Sequence, residues 1–191
     1  MLNPQYQYKL LEAGCDEVGR GCIAGPVVAA AVILPPDYRN KSIIDSKKLS
    51  QKRRIEVGQE IIVNATSWSI SEVSNKKIDE INILNASILA MHRSLDKLKV
   101  RPEFIIVDGN KFKPYRNIIH ECIIKGDNKF QNIAAASILA KNYRDELMRK
   151  LSLKYDNYSW ESNFGYPTKK HRDSIKKYGV TRYHRKSFKL L

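Results

Sequence analysis

Residues 15–34 read CDEVGRGCIAGPVVAAAVIL. Asp16 and Glu17 are adjacent carboxylates at the end of a short apolar run, and Arg20 follows between Gly19 and Gly21. After Pro26 the chain is wholly apolar to Leu34, as a central strand covered on both faces has to be. The preceding YKLLEAGCDE reads as a first strand that ends at the acidic pair, and Pro35-Pro36 closes the second.

Two negative charges are unexpected here, because the chain of 191 residues carries 34 Lys and Arg against 20 Asp and Glu, a net charge of +14. A pI near 9.7 suits binding to a polyanion, where lysine and arginine displace counterions from phosphates. The excess is concentrated between Lys169 and Lys189, where Asp173 is the one acid and Tyr166, Tyr178, Tyr183 and Phe188 lie in or beside the run. Such interleaving can hold a nucleic-acid backbone and stack on sugars or bases. The start of the chain lacks the pattern of a signal peptide, and the apolar run is too short to span a bilayer. Cys15, Cys22 and Cys122 show no CxxC spacing and read as reduced thiols of a cytoplasmic protein.

Further along, Ser50 is an N-cap candidate for a helix through QKRRIEVGQEIIVNA, and TSWSIS alternates as a half-buried strand with Trp68 and Ile70 on one face. In NILNASILAMHRSLDKL, residues Leu84, Ile88, Met91, Leu95 and Leu98 form one helical face; in FQNIAAASILAKNYRDELMRKL, Ile133, Ala136, Ala140, Tyr143 and Leu147 do the same. The alanines at 134–136 would let that helix lie close on a sheet. FIIVDG and HECIIKGD are short strands between the two helices. The pattern predicts a single α/β domain with a mixed sheet, its core spanning about residues 8–154, followed by a basic helical extension over about 155–191.

Strand one ends in Asp16-Glu17, FIIV ends in Asp108, and ECIIKG ends in Asp127. Were the three strands parallel, their carboxyl ends would share one sheet edge, where α/β proteins build their sites. Singly, each acid has an ordinary reading as a turn residue or cap. Together, four like charges repel unless a cation holds them, and hard oxygen donors suit magnesium or manganese. Two such ions about 4 Å apart activate a water and stabilise the leaving oxygen of a phosphodiester. The spacing of Gly19, Gly21 and Gly25 is one residue too long for a dinucleotide fingerprint, and a strand follows it instead of a helix. Glycines beside Arg20 instead permit close backbone approach to a ligand.

These stretches, with DSKKLS, IDEINILNASILAMHRSL, IIVDGN, KGD, IAAASILAK, RD, GYPTKKH and HRKSF, resemble bacterial ribonuclease HII, the type 2 ribonucleases H, over essentially the whole chain. The resemblance implies a ribonuclease H-like fold: a five-stranded mixed sheet flanked by helices, with a helical C-terminal extension. It implies a metal-dependent endonuclease, using two Mn2+ or Mg2+ ions, that hydrolyses RNA in RNA-DNA hybrids. It further implies cutting on the 5′ side of ribonucleotides embedded in duplex DNA, leaving 3′-hydroxyl and 5′-phosphate ends. Carried over by motif, Asp16, Glu17, Asp108 and Asp127 are the metal ligands, and Gly19, Arg20 and Gly21 read the 2′-hydroxyl that separates RNA from DNA. Tyr166 packs on the sugar of the following deoxynucleotide.

Lys47, Lys48, Ser137, Lys141 and Lys169 are candidate phosphate contacts, while Arg144 and Asp145 are expected to pair with each other. His171 and His184, near the substrate side, have a structural or phosphate-contact role. Cys22 stands where the family usually has proline, and Pro167 where GYGT is common. With no evident sliding-clamp peptide, no membrane segment and no small-molecule cofactor motif, a monomer acting on the nucleic-acid duplex is expected. Two rivals are a non-enzymatic basic binder, which has no use for four acids, and fold-related nucleases such as Holliday-junction resolvases, which lack GRG and GYPTKKH.

Overall fold

Residues 1–191 are described by a computed structural model. Five strands form one sheet: β1 (Glu12–Val18), β2 (Val27–Ile33), β3 (Ser67–Val73), β4 (Phe104–Asp108) and β5 (Ile119–Ile123), in the order β3-β2-β1-β4-β5. β2 runs antiparallel to β1 and β3, whereas β1, β4 and β5 are mutually parallel. The mixed sheet implied by the sequence is therefore present.

The apolar run of β2 is explained by its central place. Val27, Ala29, Ala31 and Ile33 face a core built with α2 (Asn75–Asp96), while Val28, Ala30 and Val32 face a second core under α1 (Gln51–Asn64) and α3 (Gln131–Ser152). Ser50 caps α1 by accepting the Arg53 N–H at 3.3 Å. The first half of α3 is buried on every side, from Gln131 to Ala140. Its alanines let the helix settle on the sheet, and Gly14 leaves the room: a Cβ there would run into the Asn132 backbone. Asn132 in turn accepts the Leu34 N–H at 3.0 Å and donates to buried Glu12 at 3.1 Å, tying both inner strands to the helix.

Four local expectations need correction. In β3 it is Ser67, Ser69, Ser71 and Val73 that are buried, while Trp68 remains 36% exposed. Small serines let α2 approach closely, and the Ser69 hydroxyl donates to the Ser94 carbonyl, so the polar face is the one covered. α2 starts at Asn75, before the expected Asn82; Asn82 is a kink with φ 64°, whose side chain caps the second segment by accepting the Asn85 N–H. Beyond Ala140, α3 buries Arg144, Asp145 and Met148, leaving Tyr143 exposed and Leu147 half-buried, because its end packs on a loop instead of the sheet. Asp127 lies past the end of β5, in a short 3-10 turn over Gly126–Asn128 that Lys125 enters with φ 55°.

The C-terminal segment adds α4 (Trp160–Asn163) and α5 (Lys169–Tyr178), with a small core of Tyr158, Trp160 and Ile175 against Met148, Ile23 and Ala24. This lobe sits on the turn that joins β1 to β2. No helix is long and apolar enough to cross a membrane.

Candidate active site

Because β1, β4 and β5 are parallel, their carboxyl ends open on one edge of the sheet. A cleft of about 250 Å³ there is lined by Asp16, Glu17, Asp108 and Asp127, together with Ser46, Lys47, Ser137, Lys141 and Tyr166. Asp16 and Asp127 are buried, and Glu17 and Asp108 half-buried. Burial pushes the Asp16 carboxyl well above the ordinary carboxylate range, and the carboxylates of Glu17 and Asp108 push the same way. Glu17 is also raised by burial, against the opposing pull of Arg20, which it meets at 3.0 Å. Asp108 is raised by burial and by Asp127, although it accepts the Gly126 N–H at 2.7 Å.

The cations present do not balance this charge. Lys47 reaches only to 4.0 Å from Asp127, and Lys141 is spent on Asp145 at 2.6 Å. The donor set, all hard oxygens under mutual repulsion, fits divalent cations of the magnesium or manganese type. No three of these side chains are already gathered as a metal-holding group, since Glu17 turns to Arg20 and Asp108 to the 3-10 turn.

Other sequence candidates divide. Ser137 lies in the cleft beside Asp16 and 3.1 Å from the Ser46 hydroxyl. Lys48 instead donates to Asn128 at 2.9 Å and does not line the cleft. Lys169 is on a separate groove with Asp156, Asp173 and Lys177. Tyr166 stands at the cleft, 38% exposed, and neighbours the buried Cys22 thiol. His171 and His184 are buried against each other, which rules out phosphate contact from the surface. The basic C-terminal run is likewise not all surface: Arg185 is buried, and Tyr183 and Phe188 are half-buried in the lobe.

Arg144 and Asp145 do not pair. Asp145 accepts from Arg54 and Lys141, both at 2.6 Å, whereas Arg144 points to a different face of the helix and donates to the carbonyls of Pro26, Phe164 and Ala24 at 2.8–3.0 Å. Arg185 donates to the carbonyls of Gly25 and Arg20, each at 3.0 Å. Two buried guanidiniums thus hold the loop from Arg20 to Pro26 by its carbonyl oxygens. The N–H groups of Arg20 and Gly21 keep no backbone acceptor within the chain. Gly19, at φ 92°, is obligatory because a Cβ would strike the Arg144 guanidinium; at Gly21 a Cβ would meet nothing. Sequence reading found the loop but missed its two clamps, because a carbonyl partner carries no residue identity to search for.

The family model for ribonuclease HII matches residues 13–191. A ribonuclease HII from Christiangramia forsetii is 61% identical over 186 residues, covering 97% of this chain and 94% of its own. The crystal structure of the ribonuclease H2 from Pyrococcus horikoshii OT3 is similar with a TM-score of 0.80 and 25% identity, covering 94% of both chains. Bst ribonuclease HIII in complex with Mn2+ shares the fold at a TM-score of 0.72 and 19% identity, over 94% of this chain and 67% of its own.

Proposed function

The chain belongs to the ribonuclease HII family, whose members are ribonucleases H acting on RNA-DNA hybrids, and from that premise we propose that it is a divalent-metal-dependent endonuclease cutting 5′ of ribonucleotides embedded in duplex DNA. The single observation that carries the metal dependence is the charge imbalance of the cleft: four carboxylates from three segments, three of them (Asp16, Glu17 and Asp108) raised by burial and by neighbouring carboxylates, against Arg20 on Glu17 and a loosely placed Lys47.

Asp16, Glu17, Asp108 and Asp127 would hold Mn2+ or Mg2+, which supply, when bound, an activated water and stabilisation of the departing 3′-oxygen. The chain's own residues do the recognition. The carbonyls of the 20–26 loop are turned to Arg144 and Arg185, and the free N–H groups of Arg20 and Gly21 suit a 2′-hydroxyl, which can accept from them. Gly21 leaves open space for that approach, and the half-exposed Tyr166 ring offers a flat surface to the next sugar. Lys47, exposed at the rim of the cleft, suits a phosphate. Lys141 steadies Asp145, so a phosphate-contact role for it requires breaking that pair. The three free cysteines fit a reducing cytoplasm, and the chain is read as one monomeric catalytic unit.

The test is nicking of DNA carrying one ribonucleotide, compared with all-DNA duplexes and branched junctions. Cleavage 5′ of the ribonucleotide that needs Mn2+ or Mg2+ and stops with chelator is expected. Metal-independent cleavage, or equal cleavage of all-DNA duplex, overturns the reading.

A further inference from the structure

The Tyr166 backbone is held by an ordered chain of hydrogen bonds through two histidines. Its carbonyl receives the Thr168 N–H and Nδ1 of His171, both at 2.8 Å. A carbonyl only accepts, so the His171 proton is on Nδ1. Its bare Nε2 then receives the Trp160 indole N–H at 3.0 Å and faces Nε2 of His184 at 3.2 Å. On the far side, Nδ1 of His184 accepts the Thr181 N–H at 2.9 Å, which places the His184 proton on Nε2, towards His171. Neighbours therefore fix both tautomers. An added proton on either ring would oppose one N–H to another. Burial lowers both rings' proton affinity, and His171 presses His184 further, down to about 4.

The segment so held is locally irregular. Phe164 and Gly165 both have positive φ, at 49° and 83°, and Pro167 provides no N–H. Two of the segment's carbonyls face the 20–26 loop: that of Phe164 accepts from Arg144, which also holds the loop, and that of Gly165 accepts the Ile23 and Ala24 N–H groups. The Phe164, Gly165 and Tyr166 N–H groups bond to Trp160 and Asn163 of the C-terminal lobe, and the Tyr166 carbonyl is the group held by the buried histidine pair.

We propose that His171 and His184 are positioning residues for substrate selection, holding the Tyr166 backbone through the His171 Nδ1–H donor so that the ring is presented at the carboxylate cleft. This rests on Tyr166 touching the substrate. It assigns to two buried histidines, which contact no nucleotide themselves, a part in distinguishing a single ribonucleotide from other duplexes.

The experiment measures KM and kcat on a single-ribonucleotide duplex and on a uniform RNA-DNA hybrid for the full chain and its variants. Asparagine places its amide nitrogen near the His Nδ1 position, and glutamine places its own near Nε2. His171→Gln is expected to raise KM on the single-ribonucleotide duplex about three- to tenfold, the range of one neutral hydrogen bond, with kcat little changed. His171→Asn should keep the wild-type KM. His184→Gln keeps a donor towards His171 but removes the acceptor for Thr181; it should move KM in the same direction and serves if His171→Gln does not fold. Wild-type behaviour of the folded glutamine variants, or an equal defect in His171→Asn, overturns the positioning role. With Tyr166→Ala defective beside an unaffected His171→Gln, the positioning role alone falls. With Tyr166→Ala as selective as wild type, the substrate reading of Tyr166 falls and takes this inference with it.

Discussion

At the sheet edge Asp16, Glu17 and Asp108 lie near enough to raise one another's proton affinity, and Arg20 on Glu17 and the more distant Lys47 do not cancel them. Around the adjoining 20–26 loop Arg144 and Arg185 are fully buried and make no ion pair with a carboxylate, yet each is bonded to backbone carbonyls. Burial lowers Arg185 to about 10, and it stays charged at neutral pH. The same physical cost, a charge out of water, is met in two ways. Dipoles of the chain hold the arginines, each by two or more carbonyls, and frame the loop. On the proposed function the carboxylates are left for an ion from solution, whose binding relieves their repulsion. On that reading, recognition uses charge held by the chain and chemistry uses charge left to an ion.

The contrast breaks most visibly at Asp16. Asp16→Asn should cut cleavage by roughly a thousandfold, while its melting temperature equals or exceeds that of the wild type because one repelling charge is gone. Mn2+ should raise the wild-type melting temperature and leave that of Asp16→Asn nearly unmoved, since only a ligand bound by the folded state stabilises it. A variant that melts lower and still responds to Mn2+ defeats the charge argument.

Arg144 should behave in the opposite sense. Arg144→Met orphans three carbonyls and is expected to cost about 3–5 kcal/mol in urea unfolding, close to the loss on breaking a buried charged network. The two glycines sharpen the point on a smaller scale. Gly19→Ala should lose about 1–3 kcal/mol through its positive φ and the clash with Arg144. Gly21→Ala should stay within about 0.5 kcal/mol of wild type in stability, yet weaken cleavage, because its added methyl occupies space the substrate backbone needs.

The smallest effect concerns Asp79, which accepts the Lys186 and Ser187 N–H groups and fastens the end of the chain to α2. Burial tends to raise its carboxyl, but the bonds from Ser187 and Lys186 outweigh that and lower it. A folded-state value below the unfolded one gives stability that is present above the unfolded carboxylate range and lost as pH falls through the folded value. Asp79→Asn should therefore lose a little stability at neutral pH and converge on the wild type at acid pH, flattening the acid limb of the stability–pH curve slightly.

Much of this frame was legible before any coordinates. The unbroken apolar run of β2, the Ser50 cap and the carboxylates closing β1 and β4 are local signals, because burial on two faces and a free helix N-terminus each constrain the residues in place. The motifs spelled the family. Where polarity misled, tertiary packing had overruled it: the serine face of β3 is covered because a small hydroxyl can reach a helix carbonyl, and the end of α3 buries Arg144 because loop carbonyls await it.

The sequence alone thus determined the sheet's central strand, the helices over it and the acids that close its strands, since each depends on residue type and period. Tertiary structure alone decided that Asp145 answers Arg54, that Arg144 and Arg185 clamp one loop, and that His171 and His184 end on Tyr166. The reason is physical: those bonds join distant positions, and most end on backbone carbonyls, which every residue carries alike.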